Sequence, residues 1–245
     1  MSDAADDTGY LPRDREWHPP ALAAAYRSSV RRSPRQAPLR FPCSLSEISG
    51  PVFGHDLIGP ADDDLIRNYA AAGESALGPR ILVHGRVRDQ FGRGVAGALV
   101  EVWQANAGGR YRHRNEGYLA PLDPNFGGCG RCLTDADGNY RFTSIQPAPY
   151  PWPNGPNSWR PAHIHFSLFG PAFAQRLITQ MYFEGDPLIP LCPIVNAIPR
   201  PEAIDALVAR LDPDAAIPMN MLAWRFDITL RGRDQTPFEN RPEGL

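Results

Sequence analysis

Two histidines one residue apart, His163 and His165, lie in the segment Trp159-Arg160-Pro161-Ala162-His163-Ile164-His165-Phe166. Side chains alternate faces on a β-strand, so positions i and i+2 point the same way, roughly 6.5 to 7 Å apart along the strand. Two imidazoles placed like this can grip one metal ion. Ile164, Phe166 and Leu168 fall on the opposite face and read as one side of a hydrophobic core. Such a strand carries chemistry on one side and packs on the other. Pro161 holds the preceding Arg160 extended, which sets a guanidinium near the imidazole pair. By itself the pair also suits ordinary hydrogen-bonded structural histidines, so the remaining elements have to decide.

The elements that must position this strand come from a chain of 245 residues, 42% of them hydrophobic, enough for a full core in one domain with extensions. Net charge is -2 with mixed signs, so no basic footprint points to nucleic acid. There is no run of 18 apolar residues, and MSDAADDTGY lacks the basic and apolar regions of a signal peptide; the expectation is a soluble, cytoplasmic protein. All 25 basic residues are arginine, which removes lysine Schiff-base chemistry and the phosphate-loop lysine. Cys129 and Cys132 form a CxxC, but Cys43 and Cys192 stand alone and do not supply a second pair for zinc. With Gly127, Gly128 and Gly130 around it, the CxxC reads as a tight turn.

Abundant Pro (27) and Gly (22) favour short strands joined by shaped turns. Residues 1–78 read as an arm rich in breakers, with one short helix near 62–72, docked through Leu45, Ile48, Val52 and Phe53 on the core or on a partner. Residues 79–245 read as the catalytic unit. Strands are expected over 80–87, 98–104, 131–134, 140–145, 162–169, 176–183 and 223–231, with one helix from Pro201 through Leu211. Asp89 to Gly94 gives a hairpin signal, and Asp135 to Asn139 reads as an Asp-Gly hairpin turn rather than a calcium loop, because no glutamate stands at position twelve. The fold class is all-β: an antiparallel β-sandwich with long decorated loops, an extended N-terminal arm and one or two short helices. The loops 105–130 and 146–161, rich in aromatics and proline, are the functional ones by length. The apolar stretch 187–199 reads as surface for a partner.

Several blocks in collinear order resemble the intradiol ring-cleaving dioxygenases: Gly108-Gly109-Arg110-Tyr111-Arg112-His113, Leu119-Ala120-Pro121-Leu122-Asp123-Pro124-Asn125-Phe126-Gly127-Gly128, Pro149-Tyr150-Pro151-Trp152, the HxH strand, and Leu177-Ile178-Thr179-Gln180. The likeness runs from about Trp17 to Asn240, more weakly over 53–77. It implies a non-heme Fe(III) held by Tyr111, Tyr150, His163 and His165, with Arg160 stabilising charge, Gln180 supporting it, and Tyr26, Trp152 and Ile194 lining the substrate pocket. Spacing alone leaves Tyr118, Tyr140 and His113 open as rival ligands; the resemblance makes the choice. Two phenolates suit a ferric ion, because only a strongly Lewis-acidic metal holds a group of pKa near 10 deprotonated.

The resemblance further implies cleavage of 3,4-dihydroxybenzoate by O2 to 3-carboxy-cis,cis-muconate, with Tyr150 leaving the metal and taking a proton, and a homologous α subunit supplying the carboxylate contact. Catechol or hydroxyquinol is the alternative substrate, and a non-catalytic sandwich or assembly subunit the alternative class. Arg160 could instead serve a structural ion pair, Trp152 simple packing, and Gln180 a buried carbonyl.

Overall fold

The computed structural model describes residues 14–36, 54–170 and 176–237. The expected docking residues Leu45, Ile48, Val52 and Phe53, together with Cys43, lie outside the described residues. Among the described residues eleven strands form in chain order: β1 (Arg80–Arg88), β2 (Leu99–Gln104), β3 (Cys129–Leu133), β4 (Asn139–Ile145), β5 (Tyr150–Pro151), β6 (Trp159–Arg160), β7 (His163–Phe169), β8 (Arg176–Phe183), β9 (Val208–Leu211), β10 (Leu222–Arg225) and β11 (Ile228–Thr229). Two described helices are short, α1 (Arg27–Arg32) and α2 (Pro201–Asp205). One layer carries β4, β1, β10 and β11 and the other β3, β2, β7 and β8; β9 pairs with both β10 and β8 and joins the layers along one side.

The two layers form because their strands alternate. In β1 buried and half-buried residues follow each other over nine positions, so Ile81, Val83 and Val87 all face inward. From the other layer Val100, Val102, Ile164, Phe166 and Leu168 face them. Phe166 sits at the centre, its ring 6.0 Å from Tyr140, 5.9 Å from Phe142 and 5.2 Å from Phe226. Aromatic contacts of this kind join the sheets more strongly than area alone. The free edges are closed by the segment before β1. The Asp62 carbonyl accepts from Arg131 N on β3, the Asp63 carbonyl from Thr143 N on β4, and Leu65 N donates back to the Thr143 carbonyl. One stretch of chain thereby satisfies both sheet edges and inserts Leu65 between them.

Several expectations need correction. Residues 62–72 form a series of turns, and no helix forms there; Asp64 Oδ1 accepts Ile66 N, and such local side-chain bonds compete with a helix. Among the described residues before β1, the α-helix is α1. The helix expected through Leu211 stops at Asp205, and Val208–Leu211 becomes β9, because its β-branched and apolar residues find strand partners on both sides. The strand 223–231 is broken into β10 and β11, with Phe226 N bonded to the His84 carbonyl and the Asp227 carboxylate capping Arg86 N. The sheets are not wholly antiparallel: β1 runs parallel to β10 and β11, and β8 to β9.

Neither turn signal joins paired strands. The Asp89–Gly94 hairpin forms locally, with Asp89 N bonded to the Arg93 carbonyl, but β2 then crosses to the other layer. The Asp135–Asn139 turn, with Gly138 at φ 85°, likewise carries the chain from β3 in one layer to β4 in the other. The CxxC residues stand on β3, with Gly128 (φ 79°) making the turn before it; Cys129 is exposed and Cys132 buried. In the stretch 187–199, Cys192, Ile194, Val195 and Ile198 are buried, whereas Pro187, Pro190, Leu191, Asn196 and Pro199 are exposed.

A Cβ on Gly85 would lie 1.9 Å from the Phe226 carbonyl oxygen, where β10 gives way to β11. Gly85→Ala is therefore expected to destabilise the fold by about 3 kcal/mol, read as a lowered urea midpoint. An unchanged midpoint would show that this crossing is not tightly packed.

Candidate active site

The two-faced reading of the histidine strand holds. Ile164, Phe166 and Leu168 enter the core, while His163 and His165 share the other face of β7. Strand pairing surrounds that face with specific partners. His165 lies between Trp103 on β2 and Gln180 on β8, and His163 lies opposite Tyr182 on β8. The Trp103 and His165 rings stack at 4.7 Å, within 3° of parallel. Pro161 carbonyl oxygen receives the Nδ1 hydrogen of His163 at 2.7 Å, which fixes the tautomer and frees Nε2 as an acceptor.

Two tyrosines arrive at Nε2 from separate loops. Tyr111 Oη lies 3.4 Å from His163 Nε2 and Tyr150 Oη 3.5 Å from it. The two phenol rings meet edge to face at 5.4 Å. This meeting depends on Gly109, at φ 81°, where a Cβ would come within 2.5 Å of the Pro149 carbonyl oxygen; a larger residue would push the Tyr111 loop away from Tyr150. Asn106 builds the loop from inside. Its Oδ1 accepts Gly108 N and Arg110 N, and its Nδ2 donates to the Pro121 carbonyl. Carbonyls of the 119–128 block then anchor the arginines flanking Tyr111: Arg110 Nη1 donates to Ala120, and Arg112 donates to Asp123 and Phe126.

Tyr150 and Arg160 are opposite each other in the two-residue ribbon of β5 and β6, so this small pairing fixes phenol and guanidinium together. Arg160 is 5% exposed. Its Nη2 donates to Gln180 Oε1 and, at 3.2 Å, to Tyr182 Oη, which itself donates to Gln180 Oε1 at 2.8 Å. The Arg160 guanidinium also sits 5.7 Å over the Trp152 ring, and Trp152 meets Tyr26 edge to face at 5.6 Å. Tyr26 is brought in from the N-terminal segment by Asn154, whose side chain bonds Arg27 N and the Ala25 carbonyl. Ile194 packs in the same cluster as Tyr26 and Trp152.

The charges are unequal by design of the surroundings. Burial disfavours the Arg160 cation, but the hydroxyls of Tyr182 and Tyr150 and the Cys192 thiol favour it and hold its pKa above the ordinary value. Burial, then Arg160 and His165, push His163 well below the ordinary imidazole value; burial and Arg160 push His165 down to about 3. Both imidazoles are thus neutral and able to act as donors to a metal. His165 Nδ1 is buried without a hydrogen-bond partner. Among the described residues no group of three His, Cys, Asp or Glu comes together that could hold a metal. The donors that do meet are phenols and imidazoles, a set suited to a hard, highly charged ion.

All nine residues singled out in the sequence gather in this region. The rival ligands do not: His113 is exposed and its Nδ1 accepts Asn115 N, Tyr118 is half-buried in its loop, and Tyr140 donates to the Phe226 carbonyl in the core. Sequence reasoning missed Trp103 and Tyr182. Their alternation on β2 and β8 was visible, but only strand register shows that both share the histidine face.

The sandwich and its long loops thus bring phenols and imidazoles together, with a buried arginine beside them. Residues 48–232 match the family model described as Dioxygenase, and residues 11–44 match the one described as Protocatechuate 3,4-dioxygenase beta subunit N terminal. The chain belongs to the intradiol dioxygenase family. It is 51% identical over 228 residues to the protocatechuate 3,4-dioxygenase beta chain of Burkholderia cepacia, covering 93% of this chain and 96% of that protein. Among solved structures, the hydroxyquinol 1,2-dioxygenase of Pseudomonas putida DLL-E4 superposes with a TM-score of 0.54 at 23% identity, over 87% of this chain and 73% of that one. The 3-chlorocatechol 1,2-dioxygenase of Rhodococcus opacus 1CP gives 0.52 at 24%, over 86% and 78%. Both share the fold. No helix among the described residues is long and apolar enough to cross a membrane.

The neutral histidines carry a pH signature in metal-free protein. Unfolded, each takes a proton near pH 6.5; folded, His165 does so only near 3 and His163 stays well below its ordinary value. Below about pH 6.5 the unfolded chain binds more protons, so stability falls as pH falls, by up to about 1.4 kcal/mol per pH unit per histidine. Urea midpoints between pH 7 and 5 should fall more steeply for the native chain than for His163→Asn/His165→Asn. Parallel slopes would count against this origin.

Proposed function

We propose that this chain is the catalytic chain of a protocatechuate 3,4-dioxygenase, cleaving 3,4-dihydroxybenzoate between its hydroxylated carbons with O2 to give 3-carboxy-cis,cis-muconate. The observation that carries the reading is the convergence of Tyr111 and Tyr150 on Nε2 of neutral His163, beside His165. The substrate is supported by the likeness to the Burkholderia cepacia beta chain, whose name also supports an α subunit as partner; that this subunit is homologous and supplies the substrate-carboxylate contact is part of the same proposal. In this reading the cytoplasm is the setting, residues 1–78 act as a docking arm and 79–245 as the catalytic unit. The edge-closing bonds of Asp62, Asp63 and Leu65 support such an arm.

Tyr111, Tyr150, His163 and His165 would hold a non-heme Fe(III), two anionic oxygens offsetting its charge and two neutral nitrogens completing the set. When bound, the ferric ion supplies the Lewis acidity that keeps phenol and diol oxygens deprotonated and draws electron density from the diol ring.

The protein's own groups do the rest. Tyr150 Oη, across the ribbon from Arg160, would be a phenolate in the loaded site and would take the proton of an incoming diol hydroxyl, becoming the neutral phenol as the diol becomes its anion. Arg160 remains a cation and cannot swing away, because Gln180 and Tyr182 hold its Nη2; it faces the ring carbon on which negative charge develops. Tyr26, Trp152 and Ile194 form an apolar wall that orients the aromatic ring and keeps water out.

Protein purified with its α partner is expected to show a tyrosinate-to-iron absorption band in the visible that shifts on anaerobic addition of 3,4-dihydroxybenzoate. Iron-replete but colourless protein would remove Tyr111 and Tyr150 from the ligand set. Arg160→Met is expected to lower kcat by about 100- to 1,000-fold, as for other preorganised charges, with the band unchanged. A loss of colour along with activity would assign Arg160 a structural role instead.

A further inference from the structure

His163 and His165 share one face of β7 but are held there by different means. His165 stacks on Trp103, and its Nδ1 has no hydrogen-bond partner. His163 instead gives its Nδ1 hydrogen to the Pro161 carbonyl oxygen at 2.7 Å. That carbonyl is itself held from outside the site. Pro161 and Ala162 link β6 to β7, and the peptide group that joins them is trans. In a planar trans peptide the C=O and the N–H point in opposite directions and can turn only as one unit. The N–H of this group, on Ala162, donates to Oδ2 of Asp186 at 2.9 Å. Asp186 is fixed in turn by its own loop. It follows β8 by three residues, where Gly185 at φ 83° turns the chain. Asp186 N donates to the Phe183 carbonyl, its second carboxylate oxygen Oδ1 accepts Leu188 N at 2.9 Å, and its carbonyl accepts Ile189 N. Tyr182 stands opposite His163 in the pairing of β7 with β8, so the turn after Phe183 comes back beside the start of β7.

We propose that Asp186 is a positioning residue for His163, acting through the Pro161–Ala162 peptide group. A carboxylate that accepts a peptide N–H polarises the amide and makes its carbonyl oxygen a stronger acceptor. Carboxylate and peptide together then do for His163 what a directly bonded carboxylate does for a metal-ligating histidine. They keep the hydrogen on Nδ1, hold the ring plane and raise the electron density at Nε2. Nε2 is the atom on which Tyr111 and Tyr150 converge. His165, with its Nδ1 unpartnered, has no such support, so the two imidazoles are unequal donors. The inference rests on the reading that His163 is a ligand of Fe(III).

Iron binding and colour read this role without turnover. In the αβ complex Asp186→Asn, which keeps the size of the side chain and removes its charge, is expected to weaken iron binding by about 10- to 100-fold in competition with a chelator. A poorer nitrogen donor leaves the ferric ion more electron-deficient, so the tyrosinate-to-iron band should move to longer wavelength. KM for 3,4-dihydroxybenzoate should not change, because Tyr26, Trp152 and Ile194 are untouched. Native iron affinity with an unmoved band in this variant overturns the proposal and leaves the ring-cleaving reading intact. Weakened iron binding with the band in its native place also overturns it, since Asp186 would then only brace its loop. A neutron structure of the native complex without iron, which needs no variant, is expected to show hydrogen on His163 Nδ1 and none on the Asp186 carboxylate; a bare Nδ1 or a protonated Asp186 overturns the proposal. A native complex that binds iron without any tyrosinate band overturns the ferric site and this inference together.

Discussion

The site depends on the pairing register of β7 between β2 and β8. With a period of two, that register puts Ile164, Phe166 and Leu168 into the core and His163 and His165 onto the opposite face. A slip by one residue would bury the imidazoles among Tyr140, Phe142 and Phe226 and expose the core side chains. The aromatic cluster around Phe166 is therefore what holds the histidines in place, although none of its members faces them. The same register brings Trp103, Gln180 and Tyr182 to the histidine face, so packing and chemistry are fixed by one set of hydrogen bonds.

Loops supply the phenols, and their shape follows from satisfying backbone groups. The 105–128 loop has little periodic structure, so its polar atoms are met by side chains such as Asn106, Arg110, Arg112 and Asp123. The 119–128 block contributes to this scaffolding; its carbonyls hold the arginines on either side of Tyr111. Tyr150 reaches the same point through a two-residue ribbon, and Gly109 leaves room for the two loops to touch. Asn154 ties the N-terminal segment to the ribbon and so adds Tyr26 to the wall.

A buried cation beside neutral imidazoles gives the site its electrical character. Arg160 is too enclosed to be solvated, and among the described residues the Gln180 oxygen and the Tyr182 hydroxyl, rather than a carboxylate, accept its hydrogen bonds. Its charge in turn helps keep both histidines unprotonated. A cation left without full neutralisation is costly in a core, and it is useful where negative charge develops on a substrate.

The sequence by itself determined the all-β class, most strands of the two layers, the two-faced character of the histidine strand and the position of Arg160 just before it. Alternation and turn chemistry are local, and they survive folding wherever one face is buried. The collinear motif blocks also named Tyr111 and Tyr150, which spacing could not separate from Tyr118 and Tyr140. Tertiary structure decided the rest. It ended α2 at Asp205 and made Val208–Leu211 a strand, because two edges needed a partner there more than the helix needed another turn. It sent the strands after both Gly-containing turns into the opposite layer. It showed Tyr182 and Trp103 to be neighbours of the histidines, since register across strands is a long-range property that no local pattern encodes.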